Sequence, residues 1–332
     1  MNFKLVKIII LFLSVHTVGV FGQAMMGPYW LYDKHYLTDK YIFNPAFAGS
    51  QYDTRVFIST HRMDLQLHDA PTVHLAGAHG SLGIKRDHSK AYRSGKLEAR
   101  NAVGGLVFAD NNGPFQTIGV KFDYAYSVPL NRNSTTLSFG LGGMLFSKRV
   151  RLDQFSSVAI DDPLISASMG NKVMIPDFNA GIVLSHQQFY AGFSVSQLLE
   201  NSYRFSDFTY TPSQVYRNYY LLTGYRFVYD KFELEPSIAA GHNSAPETYR
   251  NLGNFADVNV ECFLKPVVFT VSYRIDGYLS ASLLYRAPRL ELGMRAELFS
   301  TNSSDAPYGG IALTASYTFL PSNDKGVTNK RR

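Results

Sequence analysis

The side chains able to do chemistry are few, and their spacing is poor for it. Among the nine histidines, His61, His68, His74 and His79 come closest together, yet they lack the spacing of a metal site. His74 and His79 lie five apart, so on an extended strand they face opposite sides. Asp161-Asp162, and Asp64 with Asp69, offer carboxylate oxygens of the kind that hold calcium, but loop acids of this sort are ordinarily solvated. The reading is therefore no metal and no cofactor. No Gly-x-Ser-x-Gly, phosphate-binding glycine loop or paired acid and base is present, which argues against an enzyme.

Composition narrows the class further. The 332 residues contain 22 Tyr and 24 Phe against a single Trp, with 26 Gly, and the mean hydropathy is −0.10. Lys4 and Lys7 precede the apolar run Ile8 to Val20, which ends in Phe21-Gly22-Gln23. That order predicts a signal peptide over 1–22, because the run is shorter than the roughly 20 residues of a spanning helix. With Cys262 as its one cysteine, an exported chain has no disulfide staple and must draw stability from size, closure or lipid. The formal charge of +6 is spread along the chain, and export argues against a nucleic-acid partner.

The elements that would position any site are strands. In Ile311-Ala-Leu-Thr-Ala-Ser-Tyr-Thr-Phe319, Ile311, Leu313, Ala315, Tyr317 and Phe319 fall on one face, and Ala312, Thr314, Ser316 and Thr318 on the other. Such alternation suits a barrel strand with an apolar face to lipid and aromatic residues at its rim; a half-buried strand of a soluble sandwich has the same pattern. Tyr317 and Phe319 are the expected assembly signal if this strand closes a barrel. Period-two segments recur at 53–61, 71–80, 101–109, 114–128, 135–147, 177–186, 189–197, 218–229, 231–241, 255–263, 267–273, 278–285, 289–298 and 308–319, about fourteen strands of a length that tilted barrel strands use.

In the fourth, Ile118, Val120, Phe122, Tyr124 and Tyr126 alternate with Thr117, Gly119, Lys121, Asp123, Ala125 and Ser127. Lys121 and Asp123 then face inward, and a lumen of mixed sign would let Arg226, Glu233, Glu235, Glu261, Arg274, Arg286, Arg295 and Glu297 pair as well.

After that strand the connections alternate in length. Pro129–Ser134, Gln187-Gln188, Asp230, Leu264–Pro266 and Ala287-Pro288 are tight, whereas 148–176, 198–217, 242–254 and 299–307 are long. In outer-membrane barrels the short side is periplasmic, which would put both termini there. The basic connection 81–100 breaks the pattern on that side, and residues 320–332 form a basic periplasmic tail.

Against this background, Tyr41-Ile-Phe-Asn-Pro-Ala-Phe-Ala-Gly49 resembles the hallmark of the PorP/SprF family of type IX secretion system outer-membrane proteins, an Asn-Pro-Ala-aromatic-Ala-Gly segment. Ala70-Pro71-Thr72 with His79-Gly80, and Asp110-Asn-Asn-Gly113-Pro114-Phe115 with Tyr124-Ala-Tyr126, are similar to later family segments. So, in the same order, are Leu137-Ser-Phe-Gly-Leu141, Pro176-Asp-Phe-Asn-Ala-Gly181, Phe189-Tyr-Ala-Gly192 with Ser196-Gln-Leu198, Gly224-Tyr-Arg226 and Glu235-Pro-Ser237. Two departures bear on partner choice: Met63-Asp64 stands where the family commonly has Gln-Trp, and Tyr308-Gly-Gly-Ile-Ala312 where it has Gly-x-His-Glu-Ile.

The resemblance implies a fourteen-stranded FadL-like outer-membrane barrel, spanning 53–319, that works with secreted adhesins and other cargo bearing a C-terminal sorting domain. It also implies periplasmic type IX partners, OmpA-like or lipoprotein. The hallmark Asn44, Pro45, Ala46, Phe47, Ala48 and Gly49 combines a turn-forming pair with small residues that allow close backbone approach. Within 23–52, Met25–Gly49 is expected to tuck into the lumen as a plug or lid. Tyr203, Arg204, Phe205, Phe208 and Tyr210, in a long loop, are the candidate cargo contacts, being types that anchor interfaces. Three functions stay open: export or surface retention of a specific cargo, transport of hydrophobic small molecules, and structural anchoring of periplasmic lipoproteins.

Overall fold

The computed structural model describes residues 34–50, 54–65, 70–82, 99–113, 115–131, 135–151, 172–204, 213–246, 254–275, 277–299 and 309–319. The signal peptide, most of the basic connection, and the tail lie outside these. The chain is all-β. Its wall strands are β1 (Thr54–Arg62), β2 (Thr72–Ser81), β3 (Arg100–Asn112), β4 (Phe115–Pro129), β5 (Thr136–Val150), β6 (Lys172–Ser185), β7 (Phe189–Ser196), β8 (Asn218–Tyr225), β9 (Glu233–Asn243), β10 (Phe255–Leu264), β11 (Val267–Arg274), β12 (Tyr278–Arg286), β13 (Leu290–Phe299) and β14 (Gly309–Phe319).

Each strand pairs antiparallel with its sequence neighbours, and β1 pairs with β14, so the fourteen strands close into a barrel. Closure places Ile58 opposite Ala315 and Thr54 opposite Phe319. It removes the exposed sheet edges that would otherwise seek partners.

Two-residue periodicity sorts the side chains. On β4, Ile118, Phe122, Tyr124 and Tyr126 are exposed while Thr117, Lys121, Asp123, Ala125 and Ser127 are buried. On β14, Leu313 and Phe319 are exposed, and Ala312 and Ser316 are buried. A wall with apolar side chains outside and polar ones inside is inverted relative to a soluble sheet, and only a hydrocarbon solvent favours it. Each expected segment corresponds to one strand. β8 stops at Tyr225, short of the expected 229, whereas β3 runs on into Asp110–Asn112 and β6 starts at Lys172, and the ladders of these two continue past the apolar pattern that marked them in the sequence.

Polar inward side chains are costly unless paired. Arg274 grips Asp257 through two bonds of 2.7 and 2.8 Å, Arg226 donates to Glu235 at 2.7 and 2.5 Å, and Arg295 donates to Glu297 at 2.8 Å. Arg286 meets Glu291, Arg226 also meets Glu233, and Lys121 lies 3.2 Å from Asp123. The expected lumen of mixed sign is thus present, although among the described residues Glu261 makes no such pair.

Candidate functional site

Lys34–Gly49 lies against the inward face of the wall as three short 3-10 turns, Lys34–Leu37, Lys40–Ile42 and Pro45–Phe47. Local chemistry makes these turns. Asp39 and Asn44, both extended, cap the second and third by accepting from Tyr41 N and Ala46 N, and Pro45 supplies the fixed φ of a first helical position. At Gly49, φ is +61°, and an added Cβ would lie 2.6 Å from Ala102 Cβ, so both conformation and space require glycine.

The segment is fastened along its length. Asn44, almost fully buried, donates from Nδ2 to the carbonyls of Ile182 on β6 and Phe193 on β7, both at 3.2 Å. Ser194 Oγ donates to Phe43 O at 2.8 Å, and Lys121 Nζ to Ile42 O at 3.1 Å. The Tyr41 hydroxyl donates to Asp123 at 2.6 Å, whose other oxygen accepts from Asn179 at 2.7 Å. Tyr36 reaches Asp257 at 2.7 Å, and Lys34 reaches Ser280 at 3.1 Å while its carbonyl accepts from Arg295. Asp39 meets both Arg55 at 3.2 Å and His79 at 3.0 Å, and Gly49 N donates to His79 Nδ1. Tyr41, Ile42, Phe43, Ala46 and Phe47 join the main apolar cluster, with Phe43 edge-on to Tyr220 at 5.0 Å.

Charge in this setting is tightly held. Burial pushes the Lys34 ammonium down to about 8 despite the nearby Asp257. Burial alone would raise Asp39, but His79 and Arg55 outweigh it and hold the carboxyl well below the usual range. Burial, reinforced by Asp123, holds the Tyr41 phenol far above its ordinary value.

The wall is notched to receive the segment, a feature that motif reading missed. A Cβ on Gly140 of β5 would collide with Ala46 N and stand 2.5 Å from Pro45 C; on Gly181 of β6 it would run into Asn44 Oδ1. On Gly192 of β7 it would lie 3.1 Å from Asn44 Nδ2, and on Gly104 of β3 it would be 2.5 Å from the Tyr41 ring. The available signal was that Gly140, Gly181 and Gly192 all sit in segments carrying the family resemblance.

At the other end of the strands, the two-residue ladder of Ser202–Tyr203 with Ser213–Gln214 folds the base of its loop inward. Tyr203, expected to be an exposed contact, is buried, because Lys148 Nζ lies 3.4 Å from its hydroxyl and 5.3 Å over its ring. Arg204 is exposed, as expected; Phe205, Phe208 and Tyr210 fall outside the described residues. Asp177 accepts from Leu199 N, and a chain of amides from Gln197 through Asn218 to Asn243 ties the neighbouring loop bases together. Tyr317 and Phe319 pack edge-on at 4.9 Å, with Phe319 exposed at the end of β14.

A closed barrel with apolar exterior, paired charges within and aromatic residues at its ends is a transmembrane β-barrel of the outer-membrane type. The chain belongs to the PorP/SprF family: the family model described as "Type IX secretion system membrane protein PorP/SprF" matches residues 29–317. Among solved structures, it is similar to the CymD monoaromatic hydrocarbon channel (10% identity, TM-score 0.48, covering 92% of this chain and 98% of that one) and to a TodX monoaromatic hydrocarbon channel mutant (10%, 0.47, 83% and 93%). The Acinetobacter baumannii outer membrane protein Omp33 is similar at 11% identity and a TM-score of 0.40, over 82% of this chain and 100% of that one. Comparison with curated protein sequences found no match.

Proposed function

We propose that this outer-membrane barrel serves type IX secretion as a closed platform that retains or helps export a specific cargo at the cell surface, and is not a conduit. The observation that carries the closed state is the occupied interior: Lys34–Gly49 is held by the buried bonds of Asn44, Tyr41, Tyr36 and Lys34 to β4, β6, β7, β10 and β12. A transport path would require that space. On this reading 1–22 is a removed signal, 23–52 carries the plug, 53–319 is the barrel, and 320–332 is a periplasmic tail.

From β4 onward the longest connections, 151–171, 197–217, 244–254 and 300–308, lie at the Arg62 end of β1 and short turns at the Thr54 end, the asymmetry expected of cell-surface and periplasmic sides respectively; the long 82–99 at the Thr54 end and the tight 113–114 and 275–277 at the Arg62 end depart from it. Both wall ends, Thr54 and Phe319, then face the periplasm, where an OmpA-like or lipoprotein partner of the system would dock. Arg204, Phe205, Phe208 and Tyr210 are the proposed cargo contacts, with Tyr203 as a support for their loop.

The test replaces Phe205, Phe208 and Tyr210 by Ser and follows the surface proteins of intact cells, with cross-linking and mass spectrometry to identify what the wild-type loop touches. The reading expects one secreted protein with a C-terminal sorting domain to leave the surface while the barrel stays assembled. An unchanged surface with normal barrel abundance rejects this interface. Uptake of a hydrophobic small molecule by the reconstituted wild type would instead favour a transporter.

A further inference from the structure

The outer face of the barrel carries one charged row that the secretion role does not use. At the Arg62 end of the wall, Asn111, Gln116, Arg149 and Lys172 stand directly opposite one another across β3, β4, β5 and β6. All four occupy outward positions: inward Lys148 beside Arg149 is buried, as is Thr117 beside Gln116. Arg149 and Lys172 are exposed. Gln116 donates to Asn111 at 2.6 Å, and the Gln116 Oε1 has no partner.

One step along, the exterior is apolar on β4 and β6, with exposed Ile118 and Met174 next to the row, while Ala109 and Ser147 follow on β3 and β5; beyond them Val107, Leu145, Phe122 and Phe178 are exposed. The cations therefore sit at the border of the hydrocarbon band.

Like charges directly opposite each other destabilise a sheet, and among the described residues neither Arg149 nor Lys172 has a carboxylate partner. Side chains opposite in a ladder are about 5 Å apart at Cβ, close enough for two cations to converge on one anion. An anion at this height belongs to a lipid headgroup. Guanidinium and ammonium together suit a phosphate, the first through its two-pronged donors and the second as a point charge.

We infer that Arg149 and Lys172, with Gln116 and Asn111 beside them, bind the phosphorylated headgroup of an outer-leaflet glycolipid, lipid A, against the β3–β6 face of the barrel. The glycolipid assignment rests on the orientation given under Proposed function; the phosphate chemistry does not. The acyl chains would run down over Ile118, Met174 and Phe178.

The test uses the full barrel in micelles, titrated separately with phosphorylated lipid A, with dephosphorylated lipid A and with inorganic phosphate, reading bound ligand by native mass spectrometry. Each cation near an anionic headgroup contributes enough that Arg149→Gln with Lys172→Gln should weaken lipid A binding roughly thirtyfold. Wild type should bind the dephosphorylated lipid as weakly, whereas Lys265→Gln, an exposed lysine in a turn at the opposite end, should bind as wild type does. Equal binding by the double variant and wild type, or by the two lipids, overturns the site. Inorganic phosphate binding as tightly as lipid A overturns the glycolipid as ligand.

Orientation is read independently. The variant Lys172→Cys should react with a membrane-impermeant maleimide on intact cells. Reaction only after lysis overturns the lipid A assignment along with the proposed orientation, whatever the micelle titration gives.

Discussion

Replacing Gly140 by Ala tests whether the notched wall is what seats the N-terminal segment. The new Cβ would collide with Ala46 N and lie 2.5 Å from Pro45 C, and because both are backbone atoms of a capped turn no flexible side chain can swing aside. Overpacking of this kind typically costs about 1–3 kcal/mol. Displacement also loosens the two Asn44 bonds to β6 and β7, each contributing about 1 kcal/mol, so the seated state should weaken by about 3–5 kcal/mol in all. The wall ladder of β5 does not depend on these contacts, so the barrel should still assemble. Gly143→Ala, on the same strand but facing outward with its nearest atom 3.9 Å away, is the matched control. The assay is single-channel conductance in planar bilayers, with protease sensitivity of the segment read alongside. Wild type and Gly143→Ala should conduct little and protect the segment; Gly140→Ala should conduct more and expose it. An assembled Gly140→Ala barrel as tight and protected as wild type would show that this notch does not seat the segment.

Further expectations concern the wall and the charges within it. Leu313→Arg puts a charge on the lipid face near the middle of β14, at a cost of about 2–4 kcal/mol at mid-bilayer, and Phe319→Ser removes the rim aromatic; both should lower the amount of heat-modifiable barrel in outer membranes. Normal levels in both would count against β14 as the assembly strand. Asp39, whose carboxyl is depressed in the folded state, contributes stability that is present above its ordinary value near 3.9 and is lost only as pH falls through the depressed one. Titration of Asp39 should therefore leave protease protection of the segment unchanged until the pH falls below about 4. Asp39→Asn should lose about 1–3 kcal/mol at neutral pH, because His79 and Arg55 lose a shared carboxylate while Arg55 keeps Glu291 at 2.9 Å; protection equal to wild type would show that this ion pair does not hold the segment.

How much could be read in advance depended on how local each feature is. The alternation Ile118, Val120, Phe122, Tyr124, Tyr126 against Lys121 and Asp123 is written in consecutive residues, and β4 carries it as expected. The charges of Arg226, Arg274 and Arg295 required partners inside, and Glu235, Asp257 and Glu297 supply them. The seat was not legible because its halves are far apart in sequence: Asn44 meets carbonyls 138 and 149 residues away. Glycines on β3, β5, β6 and β7 look like ordinary barrel glycines until Lys34–Gly49 is laid against them. Tyr203 failed as an exposed contact for a similar reason, since Lys148, 55 residues earlier, turns it inward. The polar ends of β3 and β6 were hidden because periodicity of apolar residues marks only the part of a strand that touches lipid.

Whether this type IX barrel holds a cargo at the surface is tested by comparing the surface proteome of cells lacking this chain with that of cells carrying it. If it does, one protein with a C-terminal sorting domain disappears from the surface without the barrel and returns when it is restored. An identical set of surface proteins in the two strains would contradict it.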